Sequence, residues 1–159
     1  MEENTAKLMF SSKTDLWATP QYFFDKLNQE FKFTLDPCSD GRNNKCSKFY
    51  TSEDDGLSCD WAGEIVFMNP PYGRAIGAWV KKAYEEGLKE NTKVVALIPS
   101  RTETRYWHNY VLSAREIRFV KGRIKFGDSP HNAPFPSAVV VFDGKSKPSL
   151  GVISAKEDE

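Results

Sequence analysis

Phe23, Phe24, Leu27 and Phe31 recur at the three- and four-residue spacing of a single helix face, which predicts a helix from about Pro20 to Glu30. Thr19-Pro20 reads as its N-cap followed by proline in the first helical position. Phe33-Thr34-Leu35 is then a short strand ended by Asp36-Pro37, and residues 37–64 are polar and irregular. Ile65-Val66-Phe67-Met68 is a buried strand halted at once by Asn69-Pro70-Pro71-Tyr72-Gly73. Ile76, Trp79, Val80, Ala83 and Tyr84 return to helical spacing and predict a helix to about Glu90.

Val94-Val95-Ala96-Leu97-Ile98 is continuously apolar and stopped by Pro99, the pattern of a central strand in a parallel sheet covered on both faces. Thr102 is expected to cap a helix whose apolar side holds Tyr106, Tyr110 and Val111. Further strands are expected at Ile117–Val120 and Ser137–Phe142, with Ile124-Lys125-Phe126 as an extended edge segment. Residues 1–16 show no periodicity and read as a mobile arm, and residues 144–159 as a charged tail. Strands alternating with helices, with no repeat or linker, predict one α/β domain over residues 17–143 with a mostly parallel sheet.

Composition narrows the class. A content of 40% hydrophobic and 28% charged residues excludes a disordered or fibrous chain. No run approaches the ~18 apolar residues of a membrane span, and Met1-Glu2-Glu3-Asn4 is too acidic for a secretory signal. Cys38, Cys46 and Cys59 lack the CxxC rhythm of a zinc site, so a reduced, cytoplasmic protein without a metal is expected. Lys plus Arg balance Asp plus Glu at 22 each, but unevenly. Residues 1–60 carry 7 basic and 11 acidic side chains, a net of −4, whereas residues 81–125 carry 11 and 5, a net of +6. A neutral chain with a basic half can hold a polyanion on one face.

The informative tetrapeptide is Asn69-Pro70-Pro71-Tyr72, directly after a buried strand, since open α/β sheets bind ligands beyond the carboxyl ends of their strands. Asn69 offers a side-chain carbonyl, Pro70 a main-chain carbonyl and Tyr72 an aromatic face, with Pro71 stiffening the turn. Two acceptors and a ring suit a planar substrate with an exocyclic amino group. The same tetrapeptide also makes a rigid strand-to-helix turn.

Asn69 to Tyr72 resembles motif IV of amino-methyltransferases that use S-adenosylmethionine, and residues 17–143 resemble the phage-type, Dam-like DNA N6-adenine methyltransferases. The resemblance implies a compact Rossmann-like domain, shortened between motifs I and IV, that methylates adenine in double-stranded DNA. By the same resemblance, Trp17, Thr19 and Pro20 belong to a segment at the methionine end of the cofactor. Leu35-Asp36-Pro37-Cys38 is similar to motif I, Asp55-Gly56-Leu57 to the segment whose aspartate meets the cofactor adenine, and Asn69 also borders the cofactor. Gly122 to Phe126, with Asn132, Pro134, Phe135 and Ser137, resembles the C-terminal motif near the target base. Tyr72, Phe126 and Ser137 are thereby expected at the base; Arg101, Arg105, Arg118, Arg123 and Lys125, from the basic stretch, are candidates to hold phosphates. Motif I lacks its Gly-rich turn, and only 33 residues separate Asp36 from Asn69. The acid that meets the cofactor ribose therefore has no obvious match, and Asp40, Asn43, Asn44 and Tyr50 stay open. His108 and Cys38 read as structural. A protein glutamine N5-methyltransferase and a non-catalytic nucleic-acid-binding domain are the alternatives; nothing indicates an oligomer.

Overall fold

Residues 18–127 and 131–159 are described by a computed structural model; the expected arm at 1–16 and Trp17 lie outside the described residues. Helix α1 (Gln21–Phe31) forms because Phe23, Phe24 and Leu27 share a face that is fully buried. Thr19 does not cap it. Pro20 occupies the N-cap position in an extended conformation, with no side-chain bond to the helix. The strand expected at 33–35 shrinks to two single-residue parallel bridges, Leu35 to Val66 and Asp36 to Phe49. The first full strand is β1 (Ile65–Met68), followed by helix α2 (Ile76–Gly87), whose Trp79, Val80 and Ala83 face inward.

The remaining elements are β2 (Lys93–Pro99), α3 (Arg105–Asn109), β3 (Glu116–Lys121), β4 (Ser137–Phe142) and β5 (Ser149–Ser154). Helix α3 is capped by Thr104, whose hydroxyl accepts the Trp107 N–H at 3.4 Å. Thr102 serves otherwise: its carbonyl lies 2.8 Å from His108 Nε2, which holds that imidazole to the preceding turn. Residues 124–126 form no strand, although Ile124 and Phe126 are buried in the core. The expected charged tail contains β5, which pairs in parallel with the outer edge of β3 and packs Ile153 against the core on the α1 side, while Leu150 and Val152 face solvent.

The five strands lie in the order β1-β2-β4-β3-β5. β1 pairs with β2, and β3 with β5, in parallel; β4 runs antiparallel to both of its neighbours. The sheet is therefore mixed, which corrects the mostly parallel expectation. Continuous apolarity reports burial on both faces and carries no direction, and β4 is buried at all its positions despite being antiparallel. Alternation divides the core. Phe67, Val95, Leu97, Val139 and Val141 meet α1 on one face, while Val66, Val94, Ala96, Ile98 and Val140 lie on the other face with α2 and α3. No helix among the described residues is long and apolar enough to cross a membrane.

One consequence of these directions positions the site. The Leu35–Asp36 bridge, β1 and β2 all end at one edge of the sheet, and reversed β4 begins there. Asp36, Asn69, Ser100 and Ser137 thus share a rim.

Helix α2 reaches the sheet at Gly87, where an added Cβ would lie 2.9 Å from both Cβ and the carbonyl oxygen of Phe142. Gly87→Ala should destabilise the protein by about 1–3 kcal/mol through overpacking, measured as a lower urea midpoint at an unchanged slope.

Candidate active site

Two prolines end β1, so Asn69 stands at the rim with its side chain held from both ends. Its Nδ2 donates to Thr19 Oγ1 at 3.0 Å, which is the use that the Thr19 hydroxyl finds in place of capping α1. Its Oδ1 accepts from the Tyr72 hydroxyl at 3.0 Å, and that hydroxyl also lies 3.3 Å from the Leu97 carbonyl. The amide is thereby oriented, with its oxygen beside the Tyr72 turn and its nitrogen toward the start of α1. The Tyr72 ring is buried rather than open to solvent. Phe135 and Phe126 meet it edge-on, with centroids at 5.5 and 6.3 Å. Burial, and secondarily the neighbouring Tyr106, pushes its phenol pKa up, so it stays a neutral donor.

A groove runs from Asn69 along the rim. Its first part is bordered by Thr19, Asp36, Asn43, Lys45 and Phe67. Asp36 is 5% exposed and accepts the N–H groups of Lys45 at 2.9 Å and Cys38 at 3.1 Å. Burial raises its carboxyl above the ordinary range, although those two N–H groups pull the other way. The second part shares Cys38 and Asp40 with the first and is bordered by Asp55, Leu57, Pro71 and Trp79. Asp55 sits in the left-handed region at φ 54° and accepts the Ser58 hydroxyl at 2.6 Å. Gly56 lets this turn close: a Cβ there would lie 2.5 Å from the Pro37 carbonyl and 3.0 Å from Trp79 Cη2.

The groove is braced by residues that sequence reasoning missed. Trp61 Nε1 donates to the Gly56 carbonyl at 3.0 Å, and the Trp61 main-chain N–H meets the carboxylate of Glu86, only 3% exposed. Lys82 and Lys89 pair with the same carboxylate. Glu86 falls three residues after Ala83 and seven after Trp79, on the inward face of α2, so an acid on the apolar face was the signal that could have marked it.

Comparison with known proteins agrees with this geometry. A family model for DNA N-6-adenine-methyltransferase (Dam) matches residues 6–158. The chain belongs to this family. It is 33% identical over 153 residues to the DNA N-6-adenine-methyltransferase of Haemophilus phage HP1 (strain HP1c1), covering 91% of this chain and 86% of that protein. It is 32% identical over 109 residues to the DNA N-6-adenine-methyltransferase of Escherichia phage T1, covering 67% of this chain and 45% of that protein.

The residues expected at DNA fall into three groups in this Dam-family chain. Arg101 borders a cleft beside Tyr72 with Pro99, Ser100, Glu103 and Phe135, and Arg105 and Lys125 are exposed. Arg118 is withdrawn from any phosphate, since its guanidinium grips Glu30 at 2.6 and 2.8 Å and Glu116 at 3.0 Å. Arg123 is exposed but donates to the Ala133 carbonyl at 3.3 Å, tying the two legs of the 122–136 loop. Phe126 and Ser137 are 2% and 3% exposed, close beneath the rim. Of the ribose candidates, Asp40 and Asn43 border the groove, whereas Asn44 is turned to the Cys46 carbonyl. Burial pushes the Cys38 thiol well up, which leaves it unreactive.

Thr19→Val keeps the shape of the side chain and removes the acceptor for Asn69. The expected cost is about 1–3 kcal/mol, that of a donor left unmatched. The Asn69 side-chain amide pair should shift in a ¹⁵N–¹H spectrum as its orientation is released.

Proposed function

We propose that this chain transfers the methyl group of S-adenosylmethionine to N6 of adenine in double-stranded DNA. The observation that carries the reading is the fixed orientation of Asn69, between the acid-lined groove and the Tyr72 cleft. The groove fits the cofactor in its donor set. Asp36 at one end suits an α-ammonium, Asp40 at the middle suits ribose hydroxyls, and Asp55 suits an amino-purine beside apolar Leu57, Pro71 and Trp79. Thr19 borders the end near Asp36, Pro20 follows it at the start of α1, and Pro37 forms part of the groove wall. The ordering of the bridge, β1 and β2, all ending at this rim, supports a shortened Rossmann-like arrangement for this half of the sheet.

When bound, the cofactor supplies an electrophilic methyl carbon on a sulfonium. The chain's own task is to present N6 to it. Adenine N6 is a weak nucleophile because its lone pair is delocalised into the ring. Accepting its two N–H bonds at Asn69 Oδ1 and the Pro70 carbonyl favours a pyramidal nitrogen with a freer lone pair. With S-adenosylmethionine held in the groove, these two acceptors would aim the freed lone pair at the methyl carbon, and the N6 proton given up on transfer would pass to solvent. The target base must leave the duplex at a cost of a few kcal/mol, and contact with an aromatic wall can return about 1–3 kcal/mol. Tyr72, buttressed by Phe126 and Phe135, forms that wall. Arg101, Arg105 and Arg123 stand near the rim as phosphate partners.

Asn69→Ala removes one acceptor, with its bonds to Thr19 and Tyr72 at one end of the groove, but leaves the Pro70-Pro71 turn and the Asp36, Asp40 and Asp55 carboxylates in place. Single-turnover methylation of unmethylated duplex with labelled cofactor should slow on the order of 10²-fold, about 2–3 kcal/mol. Cofactor affinity should stay within a few-fold, and Asn69→Asp should retain more activity. A wild-type rate in Asn69→Ala overturns the mechanism.

Asp36 adds a pH dependence. Its pKa is raised by burial, so the protonated form is favoured in the folded protein, and its contribution to stability is lost as pH rises through the folded value. A cationic ligand group favours the ionised form instead. Cofactor affinity, measured calorimetrically, should therefore fall on acidification at a pH above the ordinary carboxylate range. Asp36→Asn should bind more weakly and without that pH dependence.

A further inference from the structure

The residues that border the two parts of the groove are unevenly charged. Among the described residues they include the carboxylates Asp36, Asp40, Glu53 and Asp55 and a single cation, Lys45. Lys45 is half-buried and tied at both ends. Its main-chain N–H donates to Asp36 Oδ2 at 2.9 Å, so its side chain starts next to that carboxylate. Its Nζ donates to Gln21 Oε1 at 3.0 Å, and Gln21 is itself fixed by donating from Nε2 to Asp25 at 2.9 Å. The lysine therefore reaches from the Asp36 loop to the first residue of α1, along the border that Thr19 and Asn69 share.

Among the described residues, Asp36 and Lys45 enter no salt bridge, with each other or with a third group. The Lys45 ammonium gives a proton to a neutral amide oxygen and keeps others to donate. Burial pulls its pKa down, against the pull of Asp36, and pushes the Asp36 carboxyl up. An anion and a cation side by side, each short of a counter-charge, suit an α-amino acid, which carries an ammonium and a carboxylate on one carbon. A DNA phosphate would bring no cation for Asp36 and Asp40. The acids alone would draw in any polycationic ligand, so the lysine is what lets the groove tell a zwitterion from a dication.

We propose that the Lys45 ammonium holds the α-carboxylate of S-adenosylmethionine beside Asp36, and thereby selects the amino-acid form of the cofactor over its decarboxylated form. This rests on the methyl-transfer reading above and extends it from the α-ammonium to the whole amino-acid end of the ligand.

The test titrates S-adenosylmethionine and decarboxylated S-adenosylmethionine calorimetrically into the full chain. The second probe keeps the adenosine, sulfonium and ammonium and lacks only the carboxylate. Wild type should bind the intact cofactor about tenfold more tightly. Lys45→Met should lose about tenfold on the intact cofactor and change by no more than about twofold on the decarboxylated one, so the preference disappears. Lys45→Arg should keep most of the preference. Asp36→Asn should weaken both ligands, since both carry the ammonium. Equal affinity of the wild type for the two ligands overturns the proposal. So does an equal loss on both ligands in Lys45→Met, with a lower melting temperature, which makes the lysine a brace between the loop and α1. If either result comes with a wild type that methylates adenine in duplex DNA, this inference fails and the methyl-transfer reading stands. If the wild type binds neither ligand, that reading fails and this inference falls with it.

Discussion

Two successive prolines after Asn69 remove two main-chain N–H groups where β1 would otherwise extend its ladder. The chain has to leave the sheet at that point, and it leaves over the ends of its neighbours. Much of the site follows from this exit. Asn69 is the last residue before the prolines, so its side chain stands at the rim within reach of Thr19. Tyr72, just beyond them, folds back over β2 to share its proton between Asn69 and the Leu97 carbonyl. The acceptors of the site are carbonyls, and the geometry that presents them is set by residues with no N–H to give.

The groove beside them poses a different physical problem, because residues 37–64 contain hardly any regular structure. Its order comes from side chains that stand in for a missing ladder. Asp36 gathers two main-chain N–H groups, Asp40 gathers those of Arg42 and Asn43, and Trp61 fastens the Gly56 carbonyl. Glu86 carries the largest share. A nearly fully buried carboxylate is tolerable only when paired and hydrogen-bonded, and here two lysines and a main-chain N–H converge on it. Removing one of those partners would leave a charge in the core, so the loop and helix α2 are bound into one unit.

The strands at Ile65–Met68, Lys93–Pro99 and Ser137–Phe142 were legible as apolar runs, and β3 nearly so, because each is bounded by a residue that cannot continue it. Their directions were not legible, since burial on both faces leaves the same pattern in either orientation. β5 escaped notice because charge flanks it and its alternation is short. The helix cap moved from Thr102 to Thr104 because either threonine satisfies the local rule, and only the packing of Tyr106 and Trp107 chooses between them. At the site, the Asn-Pro-Pro-Tyr order marked where the chain leaves β1. What it could not show was that Tyr72 turns its hydroxyl inward, or that Thr19 serves Asn69, since these bonds join residues up to fifty positions apart.

The connection from β3 to β4 has a different character. It joins antiparallel neighbours at the rim, and both its legs are pinned, by Ile124 and Phe126 on one side and Ala133 on the other. Between those anchors the chain can lengthen or shorten with little penalty, because closing a loop of twice the length costs only about 0.6 kcal/mol. Strand register and the Asn69 turn lie on the far side of the anchors, while Gly127 ties the near end of the connection to the Ala18 carbonyl at the groove border at 2.8 Å. The length of this connection is therefore only weakly constrained by the strands it joins.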